Sequence, residues 1–162
     1  MENKNLFLKN SFPLSVSLSR VRAILKILNE TKGLSLRELA SYTKEHIDLL
    51  FPLISAAGIM ELLTIKEEKV IITKKGSAFL NNPDKNLSSI LKKIEPAKTV
   101  LILLKNQSMT TPELAVSLKN RKLISGDTLK MTEELHNFLI TWCLKANIVS
   151  YTPKNDLWSI AV

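Results

Sequence analysis

A chain of 162 residues with 45% hydrophobic and 23% charged residues has the balance of a soluble globular protein, long enough for one domain or two small ones with their own cores. Cys143 is the single cysteine, which excludes an internal disulfide framework and any multi-cysteine zinc site and fits a reducing compartment. The net charge of +8 points to nucleic acid or an acidic protein surface as partner. No apolar run approaches the roughly 20 residues of a membrane span or makes a signal-peptide core, so a cytoplasmic protein is expected.

Residues 1–16 show no period and form an arm in which Leu6, Phe7, Leu8 and Phe12 are candidates for packing. Ser17 or Ser19 caps a first helix whose apolar positions Val21, Ile24, Leu25 and Leu28 follow i, i+3, i+4, i+7, and Lys32-Gly33 stops it. Ser35-Leu36-Arg37-Glu38 is a capping box opening a helix over 35–42. A longer helix is expected from about Thr43 to Ala57, with Gly58 as its left-handed cap and a kink at Pro52. Two β-favouring runs, 60–65 and 70–73, then flank the charged tip Lys66-Glu67-Glu68-Lys69 and predict a hairpin. Lys75-Gly76-Ser77-Ala78-Phe79-Leu80 reads as a turn and short helix, residues 81–86 as a polar linker, and Ser88 to Ile94 as another short helix.

From Pro96 the same order recurs. Pro96 opens a helix with Val100, Leu101, Leu103 and Leu104, and Thr110-Thr111-Pro112-Glu113 is a second capping box. A loop over 119–130 leads to a helix capped by Thr132, with Leu135, Phe138, Leu139, Trp142 and Ala146 on one face. Ala146-Asn147-Ile148-Val149 echoes Ala57-Gly58-Ile59-Met60, with asparagine as the left-handed cap, and 148–152 and 157–161 make a second hairpin around Pro153-Lys154-Asn155-Asp156. The prediction is a mainly α protein with small β-hairpins, two winged helices (helix-turn-helix plus wing) in tandem. Their expected limits are 1–80 for the arm and first unit, 81–95 for a linker and short helix, and 96–162 for the second unit.

The residues offer no catalytic constellation. Gly33, Gly58, Gly76 and Gly126 stand isolated, so no phosphate-cradling loop exists, and His46, His136 and Cys143 are too few for a metal site. His136 lies about two turns from Cys143 on one helix, too far to serve as its base, and core packing accounts for the cysteine. No cofactor or metal is expected, and the chain reads as non-enzymatic. Cations gather in three places: Lys4, Lys9, Arg20, Arg22 and Lys26 against Glu2; Lys85, Lys92, Lys93, Lys98 and Lys105 against Glu95; and Lys119, Arg121, Lys122 and Lys130 against Asp127. Arg20, Arg22, Lys66, Lys69, Lys119, Arg121 and Lys122 are the candidate contacts to nucleic acid or an acidic partner, with a small anion beside Arg20, Arg22 or Arg121 as a lesser reading. The helices that would enter a DNA groove instead begin with Lys44, Glu45, His46 and Asp48, and with Glu133, Glu134 and Asn137, whose carboxylates repel phosphate. Ile140 and Leu144 form a second apolar stripe and mark a candidate protein interface or dimer seam.

The run Leu49-Leu50-Phe51-Pro52-Leu53-Ile54-Ser55-Ala56-Ala57-Gly58-Ile59-Met60, followed by Val70-Ile71-Ile72-Thr73-Lys74-Lys75-Gly76-Ser77-Ala78-Phe79, resembles the AAA-associated C-terminal domain. That domain is appended to ATP-binding subunits of ABC transporters of the nitrate, sulfonate and bicarbonate type. The resemblance covers roughly 18–160, with Trp142 and Tyr151 filling the tryptophan and tyrosine of its second half. Where the family has Gly-Arg after the tryptophan, this chain has Cys143-Leu144, and the ATPase itself is absent, as in a stand-alone relative. The resemblance implies a non-catalytic interaction or regulatory module whose partner is an ABC transporter ATPase or another protein surface. The alternative is a winged-helix transcriptional regulator that binds duplex DNA through its basic faces and wings.

Overall fold

The computed structural model describes residues 12–162, so Leu6, Phe7 and Leu8 of the expected arm lie outside the described residues, while Phe12 is buried. The fold is mainly helical with two small antiparallel sheets of three strands each. The described residues divide into two compact units on either side of the Asn86–Leu87 bond.

In the first unit, α1 (Leu18–Thr31) buries Val21, Ile24, Leu25 and Leu28, the stripe that its sequence period predicts, and ends where Lys32 turns left-handed. The two-residue strand β1 (Leu34–Ser35) leads into α2 (Leu36–Thr43), and Ser35 and Glu38 close the capping box from both sides. Next come α3 (Ile47–Ile59), β2 (Leu63–Lys66), β3 (Lys69–Ile72) and α4 (Lys74–Asn81). The third helix starts four residues later than expected because Lys44 takes a left-handed conformation and breaks the chain before His46. It also runs past Gly58; the left-handed residue that ends the segment is Glu61. The sheet order is β1-β3-β2, so β1 lies against the hairpin, with Leu34 opposite Val70. Helix α1 packs on α3, α4 and β3 around Leu39, Leu50, Leu53, Leu62 and Phe79.

Residues 81–86, expected as a linker, are largely helical: α5 (Pro83–Leu91) begins at Pro83, and the division between the units falls within it. Proline is well suited to a first helical turn, where its missing N–H is not needed.

The second unit comprises α6 (Ala97–Asn106), β4 (Met109–Thr110), α7 (Thr111–Asn120), α8 (Thr128–Phe138), β5 (Val149–Thr152) and β6 (Leu157–Ile160), in sheet order β4-β6-β5. Thr110 and Glu113 form the second capping box, and Asp127, not Thr132, caps α8 through the Lys130 N–H. Helix α8 continues as a π-helical segment, Leu139–Leu144, which accommodates one more residue per turn. Leu135, Phe138, Leu139, Trp142 and Ala146 are all buried, as expected of one face. The expected echo between the halves is shifted, however. Leu62 N–H donates to Ala57 C=O and Ile148 N–H donates to Cys143 C=O, so Ala57 corresponds to Cys143 and left-handed Glu61 to left-handed Asn147.

Gly76 shows how tightly the first unit is assembled. It sits in the first turn of α4, where Thr73 caps its N–H, and a Cβ there would lie 2.1 Å from the Leu62 carbonyl oxygen. A backbone atom cannot swing aside as a side chain can. Gly76→Ala is therefore expected to cost about 3 kcal/mol in chemical denaturation. Lys75→Ala, which removes only the exposed ion pair to Glu61, should change stability by under about 1 kcal/mol. Equal effects of the two would disprove the close approach.

Candidate functional site

The basic residues do not converge on one site. Arg20 is engaged: its guanidinium holds the Glu45 carboxylate at the end of the α2–α3 turn. Arg22 is exposed on α1, and with Ser19, Lys26, Asn29 and Glu30 lines a shallow depression in which Glu30 opposes anion binding. Lys66 and Lys69 are exposed and face each other across the hairpin, beside Glu67 and Glu68 at its tip. Lys119, Arg121 and Lys122 are exposed at the end of α7 and in the turn beyond it. Of the two apolar candidates, Ile140 is half-buried and Leu144 is 37% exposed.

The head of α3 leaves an apolar surface that the core does not cover. Leu50, Leu53, Ile54, Ala56 and Ala57 fill the core. Ile47, Leu49 and Phe51 do not: Leu49 is 55% exposed and Phe51 58%, and Tyr42 at the end of α2 is exposed as well. The helix is apolar around most of its circumference, and the core uses only one side. Asp48 and Lys44 are exposed beside these residues and Arg20 is paired with Glu45, so the charges around this apolar surface are few and of both signs.

A second feature was not foreseen at all. In the second unit, the Trp158 indole N–H donates to Thr111 Oγ1 (2.8 Å), the Thr111 hydroxyl donates to Asp156 Oδ1 (2.7 Å), and the Thr111 amide donates to Asp156 Oδ2 (3.0 Å). The Tyr151 hydroxyl donates to the same Oδ1 (2.9 Å), and His136 Nδ1 lies 3.2 Å from Thr111 Oγ1. A hydroxyl has one proton. Since an ionised carboxylate only accepts, that proton goes to Asp156, and the network assigns a proton to His136 Nδ1 as donor to Thr111. Tyr151 stacks on Trp158 with ring centres 4.1 Å apart, and His136 meets both rings edge-on.

The electrostatics follow from this geometry. Partial burial pushes the Asp156 carboxyl upward, but the hydrogen bonds from Thr111 and Tyr151 and the neighbouring His136 outweigh it and hold the group below the ordinary carboxylate range. Desolvation first, then the adjoining Asp156 carboxylate, raises the Tyr151 phenol. Asp156 has a left-handed backbone (φ 48°), which aspartate tolerates and which aims the carboxylate back at the start of α7. Next to the network is an open groove of about 480 Å3, lined by Pro112, Leu129, Thr132, Glu133, His136 and Asn137. The Cys143 thiol does not line it: it is buried elsewhere and pushed up by burial, so it stays protonated. The buried polar atoms of the network are all partnered, which suits a clamp between α7 and the hairpin. One signal for it was in the sequence: Thr110 alone suffices as a cap, and the second threonine, Thr111, had no assigned partner.

The model of the C-terminal AAA-associated domain matches residues 37–152, well over half of the chain. The chain belongs to the C-terminal AAA-associated domain family. The matched stretch runs from the first turn of α2 to the end of β5 and so takes in the exposed head of α3 together with Thr111, His136 and Tyr151. AAA-associated domains are accessories of ATPases. No curated protein and no solved structure matches the chain. Among the described residues of this AAA-associated domain, no helix is long and apolar enough to cross a membrane.

The network makes stability pH-dependent in a fixed direction. The folded-state pKa of Asp156 is lowered, so its contribution is complete above the unfolded value near 3.8 and is lost as pH falls through the folded value. Melting followed by tryptophan fluorescence should show an acid limb below about pH 4 that flattens in Asp156→Asn. Thr111→Val, which leaves the buried Trp158 N–H without an acceptor, should cost about 1–3 kcal/mol at neutral pH. An acid limb unchanged in Asp156→Asn would remove the carboxylate from the clamp.

Proposed function

We propose that this chain is a non-catalytic accessory module, built from two winged-helix units, that acts by docking on an ATP-binding subunit of the ABC transporter type. The observation that carries this reading is the head of α3, where Ile47, Leu49 and Phe51, with Tyr42 nearby in sequence, leave large apolar side chains in water. Surfaces of this composition are the buried centres of protein–protein contacts, in which aromatic side chains dominate the binding energy. Membership of a family of ATPase accessories supplies the class of partner. Such a partner works on the cytoplasmic side of the membrane, which is where the chain is placed by this reading.

The same surface argues against a DNA reader. Counterion release requires several lysines and arginines at the helix that enters the groove, and this one offers Lys44 alone against Asp48 and exposed hydrophobes, with Arg20 already bound to Glu45. Lys66 and Lys69 on the first hairpin and Lys119, Arg121 and Lys122 after α7 remain solvated cations that a phosphate backbone could use, and the test below includes that outcome.

Co-purification with an ABC transporter ATP-binding subunit, followed by titration, should give a complex that Phe51→Glu weakens about tenfold or more. Leu144→Glu and Ile140→Glu test the alternative seam on the π-helical segment and should leave the complex intact. No complex, or a complex indifferent to Phe51→Glu together with Leu49→Glu, refutes the proposal. Micromolar binding to random duplex DNA that falls steeply with salt and is lost in Lys69→Glu with Arg121→Glu would replace it with the regulator reading.

A further inference from the structure

Helix α6 has two apolar faces and the core uses one. Ala97, Val100 and Leu104 are buried, while Lys98, Leu101, Ile102 and Lys105 recur at i, i+3, i+4 and i+7 and line a groove of about 470 Å3. Ile148, Ile160 and Lys92 also line it. Ile102 is 46% exposed. No acidic side chain lines the groove, and Lys92, Lys98 and Lys105 are exposed and in no ion pair among the described residues. Glu95, the nearest carboxylate in sequence, accepts from the Thr99 amide (3.2 Å) and hydroxyl (3.0 Å) at the start of α6.

We infer that this groove docks an acidic amphipathic helix of a protein partner, with the partner's leucine-type side chains against Leu101, Ile102, Ile148 and Ile160 and its carboxylates on Lys98 and Lys105. Seven residues of α6 separate those lysines, about 10 Å along the axis. A helix with glutamates at i and i+7 and apolar residues between them has the same spacing. The combination of charge and floor selects this occupant. A phosphate backbone or a small anion uses the lysines but leaves Leu101 and Ile102 in water, and a long-chain carboxylate covers the floor but brings one charge to three lysines. The inference rests on the reading of the chain as a protein-binding accessory, and it assigns a surface separate from the head of α3.

The test is fluorescence anisotropy of the whole chain with a synthetic helical peptide that carries leucines at i+3 and i+4 between glutamates at i and i+7. Its control is the same peptide with glutamines. The expected result is micromolar binding that weakens about tenfold with the glutamine peptide, with Lys98→Glu plus Lys105→Glu, and with Ile102→Glu, and is unchanged by Glu133→Lys. Lys98→Gln plus Lys105→Gln, which removes charge without reversing it, should weaken binding in the same direction and guards against misfolding of the reversed variant. Absence of binding, indifference to both lysine pairs, or full displacement of the peptide by oleate or by duplex DNA overturns the inference. The two proposals fail separately. An ATPase complex that needs Phe51 alongside a peptide that does not bind removes the groove alone, whereas peptide binding without any ATPase complex leaves the groove and removes the proposed function.

Discussion

Two residues ahead of α2, and two ahead of α7, belong to two structures at once. Leu34 and Ser35 pair with β3 while Ser35 caps α2; Met109 and Thr110 pair with β6 while Thr110 caps α7. The double duty works because both tasks need the same backbone. A capping residue is extended before the helix begins, and a strand residue is extended by definition. Ser35 at φ −66°, ψ 162° and Thr110 at φ −78°, ψ 164° meet both requirements without a change of conformation. An isolated two-stranded hairpin is marginal in water, so the short strand at the cap supplies the third strand that fastens it to the helices. Everything else in each unit is arranged around that junction.

The two junctions have the same register and different chemistry. Val70, opposite Leu34 in the first unit, occupies the place of Trp158, opposite Met109 in the second. Ile65, paired with Val70, corresponds to Tyr151, paired with Trp158, and Leu36, the residue after the cap, corresponds to Thr111. The apolar set needs no partners. A buried tryptophan does need one, because its indole N–H loses water on folding. Trp158 therefore requires Thr111, whose hydroxyl proton requires Asp156, and Asp156 uses its remaining capacity on Tyr151 and the Thr111 amide. One large aromatic side chain at the centre of a small sheet entails a connected polar set, and a set of this kind holds only when it is complete.

What could be read from the sequence follows the range of the interactions involved. The stripe Val21, Ile24, Leu25, Leu28 and the capping boxes at Ser35 and Thr110 are local patterns, set within one or two turns, and they stand in the structure as expected. The start of α3 does not, because the break is made by Lys44 in a left-handed conformation and by His46 at the cap, residue types that carry no such signal. Gly58 was a persuasive left-handed cap on propensity alone; tertiary packing kept the helix going and put the strain on Glu61 instead. Asp156 and Thr111 are 45 residues apart, and only the fold brings them together. The exposed residues at the head of α3 lie between these cases: the helix was visibly too apolar for one buried face, but which side the core would take depended on α1 and the hairpin.

The chemistry of the surfaces bears on function more than the fold does, since this arrangement of helices and hairpins serves many purposes. Leaving Leu49 and Phe51 more than half exposed forgoes about half of what full burial is worth, about 1–1.5 kcal/mol for each side chain, a cost recovered only when something covers them. Duplex DNA recovers little of it, because phosphates and sugars offer little apolar area, and of the nearby cations Arg20 is bound to Glu45, which leaves Lys44. The groove along α6 poses the opposite problem, with unpaired lysines around an apolar floor. A partner suited to the first surface is apolar, and one suited to the second is apolar and acidic. Both descriptions match the kind of partner that the proposed function names. The net charge of +8 is thus a poor guide to the partner: what decides is whether each cation is free and what lies beside it.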